Sequence, residues 1–209
     1  EMVRQGLQFM PDGRLLSASE SGLVRWNVET GERELLYVGN IDRFAASGDG
    51  RRVLMVEKEE ASTNQGRATL LELATNAVTH LDRFGDDVRI VALDETGMVA
   101  ITGDHDGEVR VGPVTGERPH LFLGHEGSIW SVAIDPLGRW VASGGDDMTL
   151  RLWPMPDFSK PPLQTLPREE LIAKLKTLTN LRVVRDEASL TGWKLTHDPF
   201  PGWETVPTW

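Results

Sequence analysis

A polar turn closed by a glycine recurs four times along this chain, at Gly13, Gly50, Gly97 and Gly138, with separations of 37, 47 and 41 residues. Repetition at such a period constrains the fold more than any local propensity, because one unit cannot hide its apolar face without a neighbour. Runs rich in Val, Ile, Leu and Trp flank each turn and read as strands, and the Gly, Asp, Asn and Ser between them read as tight connections. Aligned on the glycines, residues 90–112 and 131–153 match without a gap, placing Thr102 on Ser143, Asp106 on Asp147, Val109 on Leu150 and Arg110 on Arg151. The extra length of the second copy lies in the polar stretch 57–66, which reads as a longer loop on an unchanged sheet.

The period is close to the roughly 40–45 residues of a four-stranded propeller blade. The expected strands are 7–9, 15–18, 23–28 and 34–38; 43–46, 52–56, 68–73 and 77–81; 88–93, 98–102, 108–111 and 120–123; and 129–134, 140–143, 149–153 and 163–166. The chain is therefore expected to be all-β, a β-propeller of about four antiparallel four-stranded blades spanning 1–38, 39–84, 85–123 and 124–166. An open array of blades leaves an apolar face bare at each end. This predicts a larger ring, with two to four further blades of the same chain upstream; a compact four-bladed ring is the alternative.

The fourth copy carries Gly124-His125, 134–138 (Ile-Asp-Pro-Leu-Gly), 143–147 (Ser-Gly-Gly-Asp-Asp) and 150–153 (Leu-Arg-Leu-Trp). It resembles a WD repeat closely, except that Pro154 stands where the family's Asp follows the Trp. The resemblance implies a buried hydrogen-bonded set made of His125, Ser143, Asp147 and Trp153. The other copies are degenerate: the third has Gly85-Asp86 and Gly112, the second Gly39-Asn40 and Leu71, and the first keeps Trp26 with a shortened second turn. The resemblance also implies that side chains entering the innermost strands lie on one rim and contact partners. Those positions are Gln5, Asp42, Arg89 and Trp130, of which Trp130 is the sharpest candidate because Trp is enriched among binding hot spots.

Residues 167–209 read as an extension packed on the propeller: a helix opened by Pro167-Arg168-Glu169-Glu170, then a hairpin of 181–185 and 193–196. Its Trp193, Phe200, Trp203 and Trp209 read as a packed cap, with a partner-binding surface as the alternative. With 178–182 (Leu-Thr-Asn-Leu-Arg) and 199–203 (Pro-Phe-Pro-Gly-Trp), the tail resembles the ending of WD-repeat proteins of soil bacteria, several of which join the propeller to a serine/threonine kinase domain. That implies a regulatory part of a longer bacterial signalling protein, with any kinase outside these 209 residues.

The net charge of −10 argues against nucleic acid or an anionic membrane as partner, and without cysteine there is no thiolate metal site. The expected partner is a protein or peptide, with a basic one suggested by the acidic run at 57–60. The expected compartment is the cytoplasm, and no cofactor, metal or catalytic residue is assigned. The string Gly103-Asp104-His105-Asp106-Gly107 is the most enzyme-like, but it aligns with the turn 144–148, where Asp and Gly serve turn geometry. A ligand- or metal-binding propeller, including an enzyme, is the alternative. The test between the two is whether these side chains converge with other carboxylates. His80 and His120 read as solvated outer-strand residues.

Overall fold

The computed structural model describes residues 3–58, 66–178, 182–185, 188 and 193–196. Backbone contacts divide the chain into two compact units, Glu1–Pro162 and Leu163–Trp209.

The first unit contains four antiparallel sheets, each a simple up-and-down meander. The first comprises β1 (Val3–Phe9), β2 (Leu15–Ser19), β3 (Gly22–Trp26) and β4 (Arg33–Tyr37). The second comprises β5 (Asn40–Ala46), β6 (Arg52–Lys58), β7 (Gly66–Glu72) and β8 (Ala77–His80), and the third β9 (Val88–Leu93), β10 (Val99–Asp104), β11 (Val109–Pro113) and β12 (His120–Phe122). Among the described residues the fourth has three strands, β13 (Ile129–Ile134), β14 (Trp140–Gly145) and β15 (Leu150–Pro154). The outer strand expected at 163–166 is instead a short 3-10 turn, Leu163–Thr165. Pro161, Pro162 and Pro167 bracket it, and a proline cannot donate to a strand ladder. The break between units accordingly falls before this turn rather than after residue 166.

The recurring glycine closes the same turn in every blade. Gly13, Gly50, Gly97 and Gly138 have φ of 81°, 69°, 69° and 66°. Each donates its amide to the carbonyl three residues back, at 3.0, 3.0, 3.1 and 2.7 Å. This left-handed conformation costs an L-residue with a Cβ about 1 kcal/mol or more, which accounts for the glycine and hence for the sequence repeat.

Packing lies between sheets rather than within one. Along β6, Val53 and Met55 face the first blade with Leu71, Leu16, Ala18 and Leu23, whereas Leu54 and Val56 face the third with Leu70, Phe84, Val91 and Ala100. A third cluster of Ile101, Val109, Val111, Ile129 and Val141 joins the third and fourth blades. The first strands of consecutive sheets, β1, β5, β9 and β13, contact one another in that order and so line the inner side of the array. Glu57 and Lys58, expected in a loop, end β6 and are half-buried. His80 is exposed, yet its Nδ1 lies 3.1 Å from Thr69 Oγ1, which donates at 3.0 Å to Glu57.

The second unit holds α1 (Arg168–Leu178) and a hairpin of β16 (Arg182–Arg185) and β17 (Trp193–Thr196). Trp193 lies in β17, while His197, Phe200, Trp203 and Trp209 lie outside the described residues.

Met148 occupies the place of Gly107 in the repeat and is left-handed, with φ of 57°, while its side chain is 97% exposed. Met148→Gly should relieve that strain without losing packing. The unfolding free energy is expected to rise by about 0.5–1 kcal/mol, and an unchanged or lower denaturation midpoint would contradict this account of the turn.

Candidate functional site

Each rim position has a particular backbone setting. In the second blade the pairing runs from Ile41↔Glu57 to Arg43↔Val56, omitting Asp42. In the third it passes from Ile90↔Gly103 to Val88↔Asp104, omitting Arg89, and in the fourth from Ile129↔Gly145 to Ser131↔Gly144, omitting Trp130. The first blade is irregular between Val3 and Leu7, the interval that contains Gln5. Asp42, Arg89 and Trp130 are thus the extra residues of β-bulges, features that bend a strand and re-aim a side chain.

Three of the four candidates are brought close together. The Arg89 guanidinium carbon lies 3.3 Å from the centre of the Trp130 ring, a cation–π stack. Trp130 is 48% exposed and donates its indole N–H to Asp146. That bond, the first of several contacts, holds the Asp146 carboxyl below its ordinary value. Arg89 Nη1 lies 3.2 and 3.3 Å from the two ring nitrogens of His105, whose Nδ1 is 3.1 Å from Ser128 Oγ. Asp42 Oδ2 pairs with Lys58 Nζ at 3.1 Å. Asp42, Arg43, Lys58, Val88, Arg89 and His105 enclose a cavity of ≈ 120 Å³.

The Asp-His-Asp string does not converge. Asp104 is buried and serves its own turn, accepting from the amides of Asp106 at 3.0 Å and Glu108 at 2.9 Å and from Arg110 Nη1 at 2.6 Å. His105 faces Arg89 instead. Among the described residues, no three His, Asp or Glu side chains come close enough together to hold a metal ion.

His125, Ser143, Asp147 and Trp153 form a continuous chain. The indole N–H of Trp153 donates to Ser143 Oγ at 2.8 Å, Ser143 Oγ lies 2.8 Å from His125 Nε2, and His125 Nδ1 lies 2.9 Å from Asp147 Oδ2. Because an indole only donates, the serine proton is free to point at Nε2 while Nδ1–H points at Asp147. Burial disfavours the charge on Asp147, but bonds from His125, Thr149 and the Glu126 amide outweigh it and hold the carboxyl far below its ordinary value. The Trp153 ring stacks on Phe122 of the preceding blade, with centroids 5.1 Å apart.

The third blade solves the same problem differently. Thr102 Oγ1 donates to the Phe84 carbonyl at 2.9 Å, and a Cβ on Gly112 would meet Pro119 at 2.8 Å and the Phe84 ring at 3.4 Å, the space a Trp fills elsewhere. Two hydrogen-bonded features of the blades carry no signal in the sequence pattern. One is the buried Asp104–Arg110 pair. The other is Ser17, which accepts the Trp26 indole N–H at 2.8 Å just as Ser143 accepts that of Trp153.

Residues 116–154 match the family model described as "WD domain, G-beta repeat". The structure is similar to a chain in the crystal structure of the mitotic checkpoint complex, with a TM-score of 0.61 and 17% identity over 73% of this chain and 48% of that one. The fold is that of a WD-repeat β-propeller. A stretch of 33 residues is also 64% identical to Ribosome biogenesis protein ERB1 of Coccidioides immitis (strain RS) and 61% identical to its namesake in Botryotinia fuckeliana (strain B05.10). That stretch spans 16% of this propeller chain and only 4% of each relative, so the likeness is to one repeat.

The lowered Asp147 value gives a pH dependence of known sign. A carboxyl depressed in the folded state contributes stability that is complete above its unfolded value of about 3.9 and lost as the pH falls toward its folded value. Melting temperature should therefore fall as the pH drops below about 4, and fall less steeply in Asp147→Asn. Parallel acid limbs in the two proteins would remove Asp147 from the network.

Proposed function

We propose that this propeller is a non-catalytic interaction scaffold whose protein or peptide partner docks on the rim formed by Asp42, Arg89 and Trp130, with Gln5 at the corresponding place in β1. The observation that carries the reading is the bulge shared by these positions. The inner strands β5, β9 and β13 bulge at one repeat position, β1 is irregular over the interval that contains its counterpart, and the described side chains there are charged or aromatic. An exposed Trp stacked by Arg has the composition of an interface anchor. Trp130→Ala should keep the circular dichroism spectrum and melting temperature of the parent but lose most partner capture. Full capture by the variant would take Trp130 out of the site.

The scaffold acts within a larger ring. Leu7 and Phe9 are each 66% exposed, whereas the residues at their repeat positions in the third blade, Val91 and Leu93, pack toward the second. At the other end Leu150 and Leu152 are 73% and 62% exposed, whereas their equivalents Val109 and Val111 are fully buried by the fourth blade. Further blades of the same protein would cover both faces. The isolated chain should accordingly bind a hydrophobic dye and self-associate with rising concentration. A monodisperse, dye-silent monomer would speak against additional blades.

A regulatory place in a bacterial signalling protein, with a kinase domain elsewhere in it, rests on the resemblance of the tail. A cytoplasmic setting belongs to the same proposal. Among the described residues no helix is long and apolar enough to cross a membrane.

A further inference from the structure

The cavity between β5 and β9 has a charge opposite to that of the molecule around it. The chain carries a net charge of −10, yet the lining holds Arg43, Lys58 and Arg89 beside the imidazole of His105, against one carboxylate, Asp42. Lys58 is 3.1 Å from that carboxylate, and cationic side chains outnumber the carboxylates in the lining. Asp87 and Asp146 are close by but do not line the cavity. Asp146 is taken up by the Trp130 indole and the Ser128 amide, and Asp87 Oδ1 lies 4.0 Å from His105 Nε2. Arg89 Nε and Asp87 Oδ1 are each buried with no hydrogen-bond partner.

Size narrows the occupant further. At ≈ 120 Å³ the cavity holds about four waters. A typical small-molecule site is about 300 Å³ or larger. The space suits the end of one side chain.

We propose that this cavity receives the carboxylate of an Asp or Glu side chain presented by a partner protein. This rests on the rim reading and replaces the basic partner suggested by the acidic run, since a cation here would face Arg43 and Arg89. A guanidinium presents its donors as a planar fork that fits a carboxylate. Burial, and after it the repulsion from Arg43, outweigh the carboxylates of Asp146, Asp42 and Asp87 and push Arg89 below its ordinary value, a cost that an incoming anion would relieve. The exposed Trp130 ring beside Arg89 offers apolar contact to the backbone that carries the acid.

The test uses the full 209-residue chain and three labelled probes: a peptide of alternating Gly and Glu, its Gly/Lys counterpart, and oligothymidylate. Fluorescence anisotropy at low salt should show the Glu peptide bound, and binding should weaken as salt rises. Arg89→Gln and Arg43→Gln should each lower affinity about tenfold or more. Arg89→Lys, which keeps the charge and loses the fork, should fall between, and circular dichroism checks that each variant is folded. Tighter binding of the Lys peptide, binding of oligothymidylate alone, no binding of any probe, or Glu-peptide binding indifferent to both Gln variants would each overturn the proposal. Trp130→Ala separates this inference from its parent. Lys-peptide binding lost in that variant would keep the rim and sink the acidic occupant, whereas Glu-peptide binding unchanged in all these variants would sink both.

Discussion

Everything in the first unit depends on two-faced sheets, each hiding its apolar residues against a neighbour. Along β6 the side chains alternate strictly, odd positions toward the first blade and even positions toward the third. A strand buried on both faces reads as a continuous apolar run, as Val53-Leu54-Met55-Val56 does, because neither side meets water. At roughly 25 cal/mol per Å² of apolar surface removed from water, these junctions supply the main drive for folding, and no blade has one of its own. The polar networks add definition to junctions that apolar contact already holds.

The fourth blade shows how that definition works. Gly107 of the third blade sits so close to the loop bearing His125 that a Cβ there would come within 2.6 Å of the His125 carbonyl oxygen. The chain from Trp153 through Ser143 and His125 to Asp147 therefore fixes the loop between two sheets while Trp153 covers Phe122. The second blade uses unrelated groups for a comparable purpose. Tyr37 donates to Glu57 at 2.7 Å, and burial together with that carboxylate pushes the phenol up to about 12.

Features tied to composition were legible in the sequence: the glycines that permit left-handed turns, the alternation of β-rich runs with polar breaks, and the proline before the helix. The absent outer strand of the fourth blade is legible in principle, since Pro161, Pro162 and Pro167 stop a ladder from extending on either side of 163–166, but the apolar Leu163 and Leu166 suggest a strand. The stack of Arg89 on Trp130 was not legible, because those residues lie 41 positions apart and meet only when two blades are adjacent. Nor were the bulges, which depend on how two strands slip past each other. The role of Glu57 and Lys58 was hidden for a related reason: charged side chains at a strand end look like loop until Tyr37 and Asp42 are placed beside them.

The bulges have a consequence for how such a molecule could diversify. A residue omitted from the pairing register is held by its strand at both sides but contributes little to the ladder itself. Exchanging it alters what the inner rim displays while the turns, the alternating faces and the inter-sheet contacts stay as they are. Successive copies of one architectural unit can thus carry unrelated chemistry at the same address, here a carboxylate, a guanidinium and an indole, on a framework that need not be rebuilt.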